Sequence, residues 1–153
     1  MLQKQIYVGE SSFESMVEEN AYLVDKTRYI KSIFKDGNSV SLITRPRRFE
    51  KSLTQSMLKN FLELDYEKPG DTTKPHRLFS GFEILKDEVF CRETLGQWPV
   101  IFLSLKKVEG NDYATARRRL VSTVVDCAQS LDFLLESPKD ELPRPYGHGF
   151  EEP

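Results

Sequence analysis

The residues of this chain with the clearest chemical potential form one run, Arg45-Pro46-Arg47-Arg48-Phe49-Glu50-Lys51-Ser52. Lys51 and Ser52 stand where the pattern G-x-x-x-x-G-K-[ST] puts its lysine and its hydroxyl. In such a loop, backbone N–H groups and a helix N-terminus cradle phosphates, the lysine neutralises the β- and γ-phosphates, and the hydroxyl holds Mg²⁺. Aligned on Lys51, Arg45 falls at the first glycine position and Glu50 at the second. The candidate cofactor-binding residues are therefore Arg45, Arg47, Arg48, Phe49, Glu50, Lys51, Ser52 and Leu53, with Ser52 as the candidate metal ligand. Glu50 works against them, because a glycine there would let the backbone approach a phosphate with no side chain in the way. A carboxylate about 4 Å from a phosphate charge, at an effective dielectric near 20, costs on the order of 4 kcal/mol, close to three decades of affinity. Binding of ATP and Mg²⁺ is expected to be weak and hydrolysis absent.

Elements on either side must position this loop. Val40, Leu42 and Thr44 alternate with Ser39, Ser41 and Ile43 after the turn-forming Gly37-Asn38, which predicts a strand over Ser39–Thr44. Leu53, Met57, Leu58, Phe61 and Leu62 then recur at helical spacing, so a helix should lead out from about Ser52. Upstream, Ser11 and Glu14 suggest a capping box for a helix over Ser12–Asn20. Asp25 is a candidate cap for a second helix carrying Tyr29, Ile30, Ile33 and Phe34 and ended by Gly37. Downstream, Glu67–Pro75 is rich in turn formers and reads as an exposed loop. Val100–Leu105 is a nearly unbroken apolar run, the pattern of a strand buried on both faces of a parallel sheet beside the Ser39 strand. Leu120, Val121, Val124, Val125, Ala128 and Leu131 give Tyr113–Leu135 one apolar helical face, capped by Asn111 or Asp112, and that helix is expected to cross the sheet. Residues 137–153 carry Pro138, Pro143, Pro145, Gly147, Gly149 and Pro153 and are expected to be irregular.

Three motifs in order carry a resemblance. Thr44-Arg45-Pro46-Arg47-Arg48-Phe49, followed by Lys51-Ser52-Leu53, resembles the TRPRRFGK[ST]L phosphate loop of the AAA-ATPase-like family. Tyr22-Leu23-Val24-Asp25-Lys26-Thr27 is similar to that family's YxVDKT lead-in, and Trp98–Ser104 to its YPVIFLS strand. Leu78–Ile84 is similar to its LFxGLxI segment, which implies a short helix or turn with Phe79, Phe82 and Ile84 packed inward. The resemblance covers roughly residues 6 to 135. The family itself carries arginine at the first glycine position, so Arg45 conforms and Glu50 departs. The resemblance implies a P-loop ATPase domain, often joined to a PD-(D/E)XK nuclease-like domain. It also implies a Walker B strand, LIDEYD, further along than Pro153, so the chain reads as a shortened N-terminal portion. Val100–Leu105 runs into Lys106-Lys107, and Val124-Val125-Asp126 falls in a helical pattern, so neither supplies that acid. Asp25-Lys26-Thr27 keeps two readings, helix capping and a nucleotide-edge role.

Composition bounds the rest. With 22 Lys and Arg against 24 Asp and Glu, no global field draws the chain to nucleic acid or a membrane surface. Cys91 and Cys127 make no disulfide framework or C-x-x-C pair, and Met1–Gln5 has no signal-peptide core, so free thiols and a cytoplasmic location are expected. His76 and His148 have no companions at metal spacing, Arg117-Arg118-Arg119 reads as a solvated helix face, and no Ser-His-Asp or Cys-His arrangement stands out. The fold class expected is α/β, a partial P-loop NTPase-like domain with a parallel sheet flanked by helices, over residues 1–136. The function expected is binding: a degenerate domain acting as decoy or inhibitor of a protein or nucleic-acid-processing partner, as mobile elements often encode. Two alternatives stand beside it. One is the nucleotide-binding part of an active ATPase linked to nuclease function; the other is a nucleic-acid binder using the basic loop Arg45–Lys51.

Overall fold

Ser12 opens the first helix of the computed structural model, which describes residues 10–35, 40–44, 46 and 49–129. In α1 (Phe13–Glu18) the cap is Ser12, whose hydroxyl accepts from Ser15 N at 3.2 Å, so the capping position lies one residue later than Ser11. Glu14 consequently falls outside the third helical position and pairs with Lys74 at 2.8 Å. The helix ends in a Schellman motif: Asn20 takes φ 53, Asn20 N donates to Val17 O, and Ala21 N donates to Met16 O. The second helix, α2, runs Arg28–Lys35. Gly37, its expected stop, and Ser39 lie outside the described residues.

The helix α3 (Lys51–Leu62) leaves the loop as its spacing predicts, burying Met57 and Phe61 along with Thr54. It packs on α1, where Phe13 N donates to Ser56 Oγ at 3.0 Å. Its C-terminal end is tied to a later segment by three backbone bonds, Gly96 N to Phe61 O, Trp98 N to Leu62 O and Leu64 N to Trp98 O, with a parallel bridge between Glu63 and Trp98. The helix α4 (Thr73–Leu78) takes in the last residues of the expected loop. Pro75 is tolerated there because the first N–H groups of a helix have no intrahelical acceptor, so its missing donor is not felt. A turn through Gly81 at φ +86 leads into a 3₁₀ segment, Glu83–Lys86, and then α5 (Glu88–Thr94), capped by Asp87, which accepts from Phe90 N at 3.2 Å.

The core of this part joins Phe13, Ile30, Met57, Phe61, Leu78, Phe79, Ile84, Cys91 and Leu95. Phe79 is fully buried and its ring lies 4.9 Å from Phe13, 5.1 Å from Phe61 and 6.1 Å from Phe82. Offset and edge-on aromatic pairs at such separations add to the burial of their area. The inward packing of Phe79, Phe82 and Ile84 is therefore as the sequence indicates.

The chain divides into two compact units, residues 1–98 and 99–153. In the second, the described residues comprise an irregular stretch, a 3₁₀ segment at Leu105–Lys107, and α6 (Tyr113–Gln129). Asp112 decides the cap of α6, accepting from Thr115 N at 2.8 Å and from the Thr115 hydroxyl at 2.9 Å. Leu131, the boundary near 136 and the segment 137–153 lie outside the described residues. Cys91 is buried and Cys127 half-buried, and both are free thiols. Among the described residues no helix is long and apolar enough to cross a membrane.

The expected parallel sheet is overturned: the described residues contain no β-strand. Residues 40–44 are irregular, with Val40 84% and Leu42 86% exposed. Ile101, Phe102, Leu103 and Leu105 are exposed as well, and so are Leu120, Val121, Val124 and Val125 of α6. Alternation and apolar runs favour an extended backbone, but a strand exists only when another segment takes up its N–H and C=O groups. Among the described residues neither run is assigned as a strand, and there is no described sheet for α6 to cross.

Two substitutions distinguish the packed from the unpacked apolar positions. Phe79→Ala should lower stability by about 3–5 kcal/mol in urea denaturation, whereas Leu42→Thr should stay within roughly 0.5 kcal/mol. A large loss at Leu42 would mean that the stretch is packed after all.

Candidate functional site

The site is built around the start of α3 and the segment that precedes α2. Glu50 occupies the N-cap position of α3 with φ 55 and ψ 26, a left-handed conformation. A non-glycine residue pays roughly 1–2 kcal/mol to sit there, and glycine does not. The backbone therefore has the conformation that the missing loop glycine would take most readily. Glu50 O holds the residue against the helix, accepting from Thr54 N at 2.8 Å and from the Thr54 hydroxyl at 2.9 Å. The Glu50 carboxylate forms an ion pair with Lys26. Next along the chain, Lys51 Nζ donates to Pro46 O at 3.3 Å, which folds the lysine back over its own loop. Ser52 is half-buried in the first turn, Leu53 packs against the core, and Phe49 is 59% exposed. Arg45, Arg47 and Arg48, the other expected loop residues, lie outside the described residues.

Asp25-Lys26-Thr27 turns out to be a clamp with one outward arm. Asp25 Oδ1 accepts from Thr27 N at 2.9 Å and from the Thr27 hydroxyl at 2.7 Å, while its other oxygen accepts from Glu83 N at 2.8 Å. The fully buried Thr27 hydroxyl in turn accepts from Ile84 N at 3.2 Å. Two backbone N–H groups at the start of the 3₁₀ segment are thereby satisfied by side chains 57 and 58 residues earlier. An Arg28–Glu83 pair at 3.6 Å and a Lys31–Asp87 pair close the same junction from the solvent side. Asp25 and Thr27 thus serve structure, and Lys26 between them is directed at Glu50. Partial burial raises the Asp25 pKa, but hydrogen bonds from Glu83 N, the Thr27 hydroxyl and Thr27 N, together with the Arg28 charge, outweigh it and hold the carboxyl below its ordinary value.

Leu23, Val24, Phe13, Leu53, Thr54 and Met57 join Lys26 and Glu50 around a small pocket of about 20 Å³. That is room for about one water molecule. The described part of the site is a left-handed residue ahead of a helix start, with a lysine and a hydroxyl in the first turn. The side chain of Glu50 puts a carboxylate at that helix start. Sequence reasoning named Lys26 within its motif but did not place it at the loop, and it overlooked Thr54. Lys26 had a legible signal, a cation flanked by two residues that cap. Thr54 had none, because a threonine inside a helix commonly bonds a carbonyl four residues back.

With this geometry in hand, comparison with known proteins gives the family. A family model described as "Predicted AAA-ATPase" matches residues 7–144, and the chain belongs to that AAA-ATPase-like family. No curated protein and no solved structure matches.

Two measurements follow from this geometry. Because the folded pKa of Asp25 is depressed, its contribution is present above the ordinary value of 3.8 and is lost as pH falls through the lower folded value. Asp25→Asn should therefore lower stability near neutral pH, by no more than about 1 kcal/mol because the carboxylate is exposed to solvent, and flatten the acid limb of a pH–stability curve. For the backbone, Glu50→Gly should be at least as stable as the native chain, and Glu50→Val should fall about 1–2 kcal/mol below Glu50→Gly. Equal melting of the two variants would refute the left-handed conformation.

Proposed function

We propose that this member of the AAA-ATPase-like family works by binding rather than by turning nucleotide over, as a decoy or inhibitor of a protein or nucleic-acid-processing partner. The observation that carries the reading is the Glu50 carboxylate, paired with Lys26 and set immediately before Lys51 at the start of α3. Family membership supports a phosphate loop at this place, and the carboxylate opposes the ligand that such a loop receives. The exposed apolar side chains of the second unit, Ile101, Leu103 and Leu105 with Leu120, Val121 and Val124, support contact with a protein partner. Val100–Leu105 is followed by Lys106-Lys107, so this stretch offers no acid to anchor a metal.

A second reading, the nucleotide-binding part of an active ATPase, is favoured by one observation. Glu50 takes a left-handed backbone conformation, which glycine adopts without cost, directly ahead of the α3 N-terminus, and this supports a phosphate-binding role.

Titration calorimetry with ATP separates the two. Under the binding reading the native chain takes up ATP weakly, and Glu50→Gly strengthens binding by about one to three decades as the carboxylate is removed. Phosphate release by the same variant should remain at background, since removing Glu50 supplies no metal-binding acid. Turnover by the native chain would decide for the ATPase. No change in Glu50→Gly would mean that the loop is a surface for some other partner.

A further inference from the structure

The geometry points to the apolar face of α6 as a docking surface for a protein partner, and to an amphipathic helix with acidic residues at one end of its apolar stripe as the segment that fits it. This inference rests on the reading that the chain works by binding, and it names the surface and the chemistry of the partner. Its first support is the way α6 is turned. The side that faces its own unit is polar: Arg119, Ser122, Thr123 and Asp126 line a groove with Lys106 and Lys107, and Arg119 Nη1 donates to Glu109 O at 2.6 Å. Leu120, Val121, Val124 and Val125, at helical spacing on the opposite side, are 40–49% exposed. An amphipathic helix packed within its own chain buries its aliphatic stripe, and α6 presents it to the outside.

Charge is the second support. Arg117 stands three residues before Leu120 and four before Val121, and Arg118 stands three before Val121, so both extend the stripe at its N-terminal end. Both are exposed, and among the described residues neither forms an ion pair. The positive end of the helix dipole adds to them there. From Arg117 to Val125 the surface runs about 12 Å, a little over two turns of helix. A partner helix laid along it buries aliphatic side chains at matching spacing and brings carboxylates to the two guanidiniums, which can receive them in bidentate geometry. A second copy of the chain does not meet that requirement. Asp126, the one acid within α6, lies on the polar side, so parallel pairing of two α6 stripes sets arginine against arginine and antiparallel pairing sets Arg117 near Ala128.

The probes are two synthetic helical peptides with the same leucine stripe at i, i+3, i+4 and i+7 spacing, one carrying glutamates at the end of the stripe and the other lysines. Titrated into the full chain by fluorescence anisotropy, the glutamate peptide should bind about tenfold or more tighter than the lysine peptide. Val124→Asp should weaken the glutamate peptide by about tenfold or more, and Arg117→Glu with Arg118→Glu should invert the preference. These positions are exposed, so circular-dichroism melts should stay near native. If Val124→Asp melts early, the charge-swapped chain still decides, since an unchanged preference there overturns the proposal. Equal binding of the two peptides, or none, overturns it as well. If sedimentation shows a dimer that Val124→Asp separates, a second copy is the occupant and the proposal falls. It falls too if a duplex oligonucleotide displaces the glutamate peptide and binds the Val124→Asp chain unchanged, because the arginines then serve nucleic acid. None of these outcomes alters the ATP titration, by which the binding reading is judged separately.

Discussion

Burial of the Phe79 ring is the constraint on which the first unit depends. Phe79 reaches α1 through Phe13 and α3 through Phe61, and it lies at the turn that begins the 3₁₀ segment through Phe82. With no sheet among the described residues to supply a continuous apolar floor, helices of six to twelve residues must find their partners through large side chains. Short helices are marginal by themselves and gain their stability from tertiary packing. Aromatic rings suit that task because each buries a large area and still meets its neighbours at defined angles.

Polar bonds then fix what the aromatic cluster only brings near. Asp25 and Thr27 satisfy the N–H groups of Glu83 and Ile84, so the entry to α2 and the 3₁₀ segment are held in one register. Surface pairs such as Arg77–Glu18 at 3.0 Å lie over α1 and α4 but contribute little, since both partners remain in water. The clamp differs because Thr27 is fully buried, and an unsatisfied N–H in that place would cost more than the bond returns. A residue held at both sides, Lys26, thereby presents its ammonium to Glu50 from a fixed base.

At the loop the local backbone and the side chain pull in opposite directions. The φ of Glu50 suits glycine, and its carboxylate suits a cation, here Lys26. In this AAA-ATPase-like chain the residue directly before Lys51 thus combines a backbone conformation that suits glycine with a carboxylate engaged by a lysine. The fold tolerates that combination, because the strain at one residue is small beside the burial that holds α3 in place.

Local signals in the sequence were enough for several elements. The spacing of Leu53, Met57, Leu58 and Phe61 determined α3, the apolar and turn residues of Leu78–Ile84 determined their inward packing, and the motif around Lys51-Ser52 determined the family. These are properties of neighbours along the chain, where periodicity and residue type act directly. Whether Val40–Thr44 and Val100–Leu105 would pair could not be read this way, since a strand is completed by hydrogen-bond partners that belong to some other segment. The cap of α1, one residue from the expected position, depended on which hydroxyl reached an N–H, a matter of φ and ψ rather than of type. The direction of Lys26 toward Glu50, 24 residues away, was a tertiary decision as well. The sequence by itself determined that a carboxylate, Glu50, stands directly before the helix that starts at Lys51-Ser52; only the folded chain, by clamping Asp25 and Thr27 against Glu83 and Ile84, decided which cation that carboxylate meets.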